Sequence, residues 1–168
     1  KDSFEMLDLQ RSGFTKLFDA QWIWRENVAP PPRDAALGWR WTVITQAYAL
    51  TEWESAWGAA SGEASGQPRI FLPALLENRN VAIIAARDGE QIVAGAIANR
   101  SEDVVGMTNL FAPAHQAPAC AAGVLATLAE RFPRLPVVGY ENAAALDGAR
   151  LLGYQALGPL RLWTKTAT

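Results

Sequence analysis

The chain has 168 residues, half of them apolar, and its 15 Lys and Arg set against 17 Asp and Glu leave a formal charge of −2. That length suits one domain with a substantial core and argues against repeat arrays, while the lack of a basic surplus argues against a nucleic-acid partner. One cysteine, Cys120, and one histidine, His115, exclude an internal disulfide framework and paired-ligand zinc sites, so no metal is expected.

Trp, Pro and charge dominate residues 1–38, which are expected to form an N-terminal extension packed on a domain at 39–168. Within it, residues 19–25 have the character of a short strand ahead of Pro30-Pro31-Pro32, a run that neither a helix nor a central strand accommodates. Trp22, Trp24, Trp39 and Trp41 alternate along expected strands, so each pair shares one face. Residues 39–45 are rich in aromatic and β-branched side chains and predict a strand. Thr45 or Thr51 could then cap a helix whose apolar face carries Leu50, Trp53 and Trp57, ending at Ser61-Gly62 before a polar stretch to Pro68. Residues 70–78, with Pro73 near the start, predict a second helix.

From residue 81 onward apolar runs alternate with turn residues. The runs 81–86 and 91–98 flank Arg87-Asp88-Gly89-Glu90, a strong hairpin signal, and a turn at 99–103 leads into a third strand at 104–111. Asn99-Arg100-Ser101 has the form of a glycosylation acceptor, but here it is most simply a turn. Pro113 ends the meander. Residues 116–131 predict a helix with Val124, Leu125, Leu128 and Phe132 on one side, stopped by Pro133. A buried strand at 135–140, a helix at 142–152 closed by Gly153, and a final strand or pair at 154–165 complete an α+β order with a late β-α-β segment. No apolar run approaches the roughly 20 residues that span a bilayer, and no cationic-then-apolar leader opens the chain. These features predict a soluble, cytoplasmic protein without a membrane partner; a start at Lys1 and not Met points to an upstream piece.

Two motifs in register carry a family resemblance. Asn142, Ala145 and Leu152-Gly153-Tyr154 match the pattern Asn-x-x-Ala-x-x-x-Tyr-x-x-Leu-Gly-Phe of the fourth helix of the GNAT acyltransferases. Gln116-Ala117-Pro118-Ala119-Cys120-Ala121 resembles that family's pyrophosphate loop, Gln/Arg-x-x-Gly-x-Gly/Ala, and Val124-Leu125 occupy the apolar pair after it. The element order from Trp39 to Lys165 is similar too. The resemblance implies an α/β/α sandwich with a GNAT-like mixed, mostly antiparallel central sheet flanked by helices. It further implies an acyl-coenzyme A-dependent N-acyltransferase that uses acetyl-CoA or another acyl-CoA on a small-molecule or protein amine, with a homodimer as a further possibility. The cofactor would lie against strand backbone at Leu110, Phe111 and Ala112, the loop residues Gln116, Ala117, Ala119, Cys120 and Ala121, and Asn142.

Three departures mark a divergent member with a degenerate loop. Ala119 replaces the central glycine, and a methyl group there costs about 1 kcal/mol where φ must be positive. Pro118 removes an amide from a cradle built of amides and a helix dipole. Ala149 stands where the family keeps the tyrosine that protonates the leaving thiolate, and alanine donates no proton. Glu141, at the carboxyl end of its strand, could accept a proton from an amine, with Tyr140 beside it as a substitute hydroxyl. The helix of Trp53, Glu54 and Trp57 corresponds to the family's acceptor-side wall, although both indoles would serve equally as core. Asn109 could present its amide to substrate or mark a β-bulge. His115 and Cys120 have the residue types of a base and a nucleophile, without a third member to orient the imidazole. The alternative function is a catalytically degenerate GNAT-fold module that binds a ligand or protein.

Overall fold

A computed structural model describes residues 1–27, 30–33, 37–62 and 68–165. The chain divides into two units, Asn27–Leu135 and a second made of Lys1–Glu26 with Pro136–Thr168.

In the unit of Asn27–Leu135, β2 (Arg40–Val43), β3 (Val81–Asp88), β4 (Gln91–Ser101) and β5 (Val104–Phe111) pair in sequence order, every pair antiparallel. Helices α1 (Ala47–Ser61) and α2 (Ala117–Arg131) pack against these strands. All of residues 82–86 are buried, which is why β3 is continuously apolar and not alternating. Ile83 and Ala85 join Leu50 and Trp53 of α1 in one cluster with Ile44, Phe71, Ile97 and Phe111. Trp53 is wholly buried, its indole N–H donates to the Ile84 carbonyl at 2.8 Å, and the rings of Phe71 and Phe111 meet it edge-on at 5.3 Å. On α2, Cys120, Val124, Leu125 and Leu128 are wholly buried, and Trp41 covers Gly123 so closely that a Cβ there would lie 2.0 Å from its ring.

In the other unit, β1 (Thr15–Arg25) pairs antiparallel along one side with β6 (Val137–Glu141) and along the other with β7 (Gln155–Thr164). The Trp-rich segment is therefore a strand of 11 residues, longer than the expected 19–25 because its first half is exposed and carries no burial alternation. Helix α3 (Ala143–Leu151) begins at Asn142, whose Oδ1 accepts from the amides of Ala144 at 3.0 Å and Ala145 at 3.2 Å. Gly153, at φ +85°, turns the chain from α3 into β7.

Residues 70–78 do not form the expected second helix. Only a 3-10 turn at Pro73–Glu77 forms: Leu75 and Leu76 pack half-buried against the core, but Pro73 keeps Leu72 extended and Asn78 is extended at the other end, which leaves five residues, too few for an α-helix. Thr45 and Thr51 do not cap α1: the N-cap is Gln46, and the Thr51 hydroxyl lies inside the helix, donating to the Ala47 carbonyl at 3.2 Å. The polar stretch expected after Gly62 falls at 63–67, outside the described residues. No helix among the described residues is long and apolar enough to cross a membrane.

Candidate functional site

The loop after β5 is set up by an irregularity inside the strand. Gly95 pairs with Phe111 while Ile97 pairs with Thr108, two steps on β4 against three on β5, so β5 carries one extra residue. Asn109 sits within that bulge at φ +54°, a left-handed conformation that asparagine tolerates better than most residues. A bulge interrupts the ladder and leaves backbone groups unpaired next to it, here alongside Leu110, which is 36% exposed.

Beyond the bulge, Pro113 opens a 3-10 turn at Ala114–Gln116 that runs directly into α2. The Gln116 amide is held by the Pro113 carbonyl at 2.8 Å. The first turn of α2 has no side-chain cap and no acidic residue, and Pro118 stands in it. Helix geometry leaves the amides of Ala117 and Ala119 as the donors of this turn, since Pro118 has none. Cys120 and Ala121 were expected among the cofactor contacts, but they lie deeper in the helix, where amides bond carbonyls four residues back, and both side chains are buried. No residue from 110 to 121 has a positive φ, so Ala119 carries no backbone strain. The expected methyl penalty is absent for that reason.

The Cys120 side chain is wholly buried, away from any reagent at the surface. Burial pushes its thiol up to about 12, and the Sγ–H points at the Phe111 carbonyl 3.5 Å away. Trp53, expected as a possible acceptor wall, is core with no exposed surface. Glu54 is also committed elsewhere: Oε1 accepts from the amides of Ile70 and Phe71, and Oε2 from Arg69 Nε at 3.1 Å. Burial pushes its pKa up, but the two amides and the Arg69 guanidinium outweigh that and hold the carboxyl below its ordinary range. Trp57 is half-buried, with its ring edge-on to Phe71 at 5.3 Å.

In the unit of β1, β6 and β7, Glu141 is the last residue of β6, paired with Gln21 of β1. It is half-buried, and burial raises its carboxyl above the ordinary value of 4.5. Tyr140 lies one residue before it, opposite Trp22, with the two rings edge-on at 6.0 Å and the Lys1 ammonium 4.4 Å from the phenol centroid. Asn142 is the α3 cap; its side-chain oxygen serves the helix and is not offered to a cofactor. Ala149 is buried at the position where the resemblance places a tyrosine.

Tyr154, which opens β7's approach, is 5% exposed, and its hydroxyl has no hydrogen-bond partner among the described residues. Burial raises its pKa, the Arg25 charge lowers it, and the Glu141 carboxylate raises it further, so these three groups share one field. Arg25 was missed in the sequence. It ends β1 as a buried cation whose Nε donates to the Leu152 carbonyl at 2.6 Å, and the only signal was a charge closing the alternating Trp22-Ile23-Trp24 run.

Comparison with solved structures gives the class: the chain has the GNAT fold, α+β with mostly antiparallel strands and flanking helices. A GCN5-related N-acetyltransferase from Kribbella flavida is similar at a TM-score of 0.61 and 16% identity, over 95% of this chain and 63% of its own. Another, from Sphaerobacter thermophilus, is similar at 0.59 and 15% identity, over 92% of this chain and 53% of its own. A functionally unknown conserved protein from Staphylococcus epidermidis reaches 0.65 at 11% identity, over 95% and 66%. The chain thus spans less than two thirds of the length of each of these neighbours, and at such identities what is shared is the fold. No protein-family model and no curated protein matches the chain.

Proposed function

We propose that the chain is an acyl-coenzyme A-dependent N-acyltransferase. The observation that supports this most is the sequence of features at the end of β5: a bulge at Asn109 that interrupts the strand ladder, then Pro113 and a 3-10 turn that runs into a helix whose first turn carries neither side-chain cap nor carboxylate. Such an end attracts anionic oxygens through its amides and its dipole.

The residues present fit the phosphates of coenzyme A, with one donor fewer than a full cradle. Ala117 and Ala119 would supply amides, the helix dipole would supply partial positive charge, and the backbone of Leu110 to Ala112 would lie along the pantetheine arm. The cofactor, when bound, supplies an activated acyl thioester. In the unit of β1, β6 and β7 the base this reading assigns is Glu141, and burial makes its carboxylate a better proton acceptor than an exposed glutamate. Tyr140, one residue earlier on β6, projects from the opposite face of that strand. Asn109 and the half-buried ring of Trp57 are the remaining candidates for contact with the acceptor.

Thermal-shift titration with acetyl-, propionyl- and longer acyl-coenzyme A tests the binding half. A cofactor present at 100 times its Kd stabilises by about 2.7 kcal/mol. Release of free thiol in the presence of an amine panel tests the transfer half. No shift with any acyl-coenzyme A at millimolar concentration would refute the reading. A second reading, a ligand-binding module without transfer, is favoured by Pro118 and Ala149 together, and a shift without thiol release for any amine would select it.

A further inference from the structure

At the far end of α2 from the loop just described, three arginines from three different elements line one groove of about 490 Å³. Arg79 precedes β3, Arg100 lies near the end of β4, and Arg131 is the last residue of α2. All three belong to the unit of Asn27–Leu135. Fifteen helical residues separate the two ends of α2 by about 22 Å, so this groove is distinct from the first turn of the helix.

The convergence is built by hydrogen bonds, and not by the chance proximity of long side chains. Arg131 Nη2 donates to the Arg79 carbonyl at 3.2 Å, which ties the end of α2 to the loop before β3. The Arg100 amide donates to the Asn80 carbonyl at 2.7 Å, which ties the same loop to β4, and Arg100 Nε donates to the Glu102 carbonyl at 3.3 Å. The Arg131 guanidinium lies 5.0 Å above the Phe132 ring. Among the described residues none of the three arginines is in an ion pair. No acidic side chain among the described residues lines the groove; its remaining lining is Asn80, Pro133, Leu135 and the buried Phe132.

We propose that this groove binds a small phosphomonoester with an apolar or aromatic body. Three guanidiniums approaching from separate elements suit a tetrahedral dianion with three terminal oxygens better than a planar carboxylate, which offers two. The exposed Pro133 and the half-buried Leu135 accept the apolar body, and the groove has the size of a small-molecule site.

Calorimetric titration of the full chain with phenyl phosphate, inorganic phosphate and phenol tests this. Phenyl phosphate should bind saturably at one site, inorganic phosphate more weakly, and phenol not at all. Arg79→Gln and Arg100→Gln should each weaken phenyl phosphate by about tenfold while leaving the unliganded melting temperature and the acyl-coenzyme A shift unchanged. Three results would each overturn the proposal: no saturable binding of phenyl phosphate up to roughly 10 mM, affinity within twofold of the original in both variants, or phenol binding as tightly as its phosphate. Because the acyl-coenzyme A titration is run on the same variants, the fate of this groove and that of the transferase reading are decided separately.

Discussion

Gly95→Ala should destabilise the protein by about 2–4 kcal/mol, although alanine is the better residue on backbone entropy alone. Gly95 lies in the middle of β4, and a Cβ on its backbone would be 2.5 Å from the Ile84 carbonyl oxygen, 2.5 Å from Trp53 Nε1 and 3.0 Å from Phe111 Cε1. None of the three can give way cheaply. The Ile84 oxygen belongs to β3, where residues 83–85 are at most 1% exposed, and the Trp53 indole is wedged between Phe71 and Phe111. Overpacking of this kind costs about 1–3 kcal/mol, and displacing the indole also loses the Trp53–Ile84 hydrogen bond, worth about 1 kcal/mol. For a chain of this length the sum lowers the melting temperature by roughly 5–15 °C. Urea unfolding followed by tryptophan fluorescence measures it, and in a Trp53→Phe background, which has no indole nitrogen to strike, the cost of Gly95→Ala should shrink by about 1 kcal/mol. A melting temperature equal to or above that of the original chain would refute the packing argument, because only the loss of glycine's flexibility would then remain as an effect.

Glu141→Gln should raise the denaturation midpoint at neutral pH while lowering turnover by about 10²–10⁴-fold. Burial raises this carboxyl, so its proton favours folding below the ordinary value of 4.5 and its charge opposes folding once the pH passes the raised value; the stability gain should therefore fade by about pH 4. Asn142→Ala should cost about 1 kcal/mol through loss of the α3 cap, with the affinity for acyl-coenzyme A unchanged in titration. Pro118→Ala restores an amide to the first turn of α2 and should tighten acyl-coenzyme A binding by about 2- to 10-fold. Cys120→Ser should keep turnover within about twofold, and the native thiol should react with a disulfide reagent only after denaturation, because its pKa of about 12 leaves almost no thiolate at pH 8.

The meander and the helix after it were legible because their signals are local. Asp88-Gly89 is a turn by its own chemistry, Pro113 and Pro133 bound α2, and Asn142 announces a cap whatever lies around it. Long-range pairing was not legible: nothing within residues 15–25 says that β1 takes β6 on one side and β7 on the other. The missing helix at 70–78 has a local cause that its helical composition outweighed on paper: Pro73 keeps Leu72 extended and only five residues remain before the extended Asn78, too few to nucleate an α-helix. At the candidate loop, the entry into α2 next to Gln116 was legible, because the loop is short and both of its ends are marked. Glu54 and Trp53 were not readable as scaffold; an aromatic-acidic helix face has the same composition whether it meets a ligand or, as here, holds the amides of Ile70 and Phe71. The bulge at Asn109 depends on counting residues across two paired strands, which a single strand's sequence cannot reveal.

The grounds for doubting a phosphate cradle change once φ is known along the loop. Ala119 looked like the serious substitution, because a glycine lost from a phosphate loop usually means a conformation lost. Its φ is not positive, so alanine puts no strain on the backbone there, and the deficit that remains is the donor lost at Pro118. Ala149 is different in kind: a buried methyl donates no proton whatever the backbone does, and the proposed reading assigns the proton to Glu141, whose charge the buried Tyr154 hydroxyl feels. The two deficits are therefore separable by kinetics. Pro118→Ala should lower KM for the acyl donor and leave kcat nearly constant, whereas Glu141→Gln should lower kcat and leave KM nearly constant. If both variants moved KM and kcat together, the division between an amide cradle that binds and a carboxylate that handles the proton would be wrong, even for a chain that transfers acyl groups.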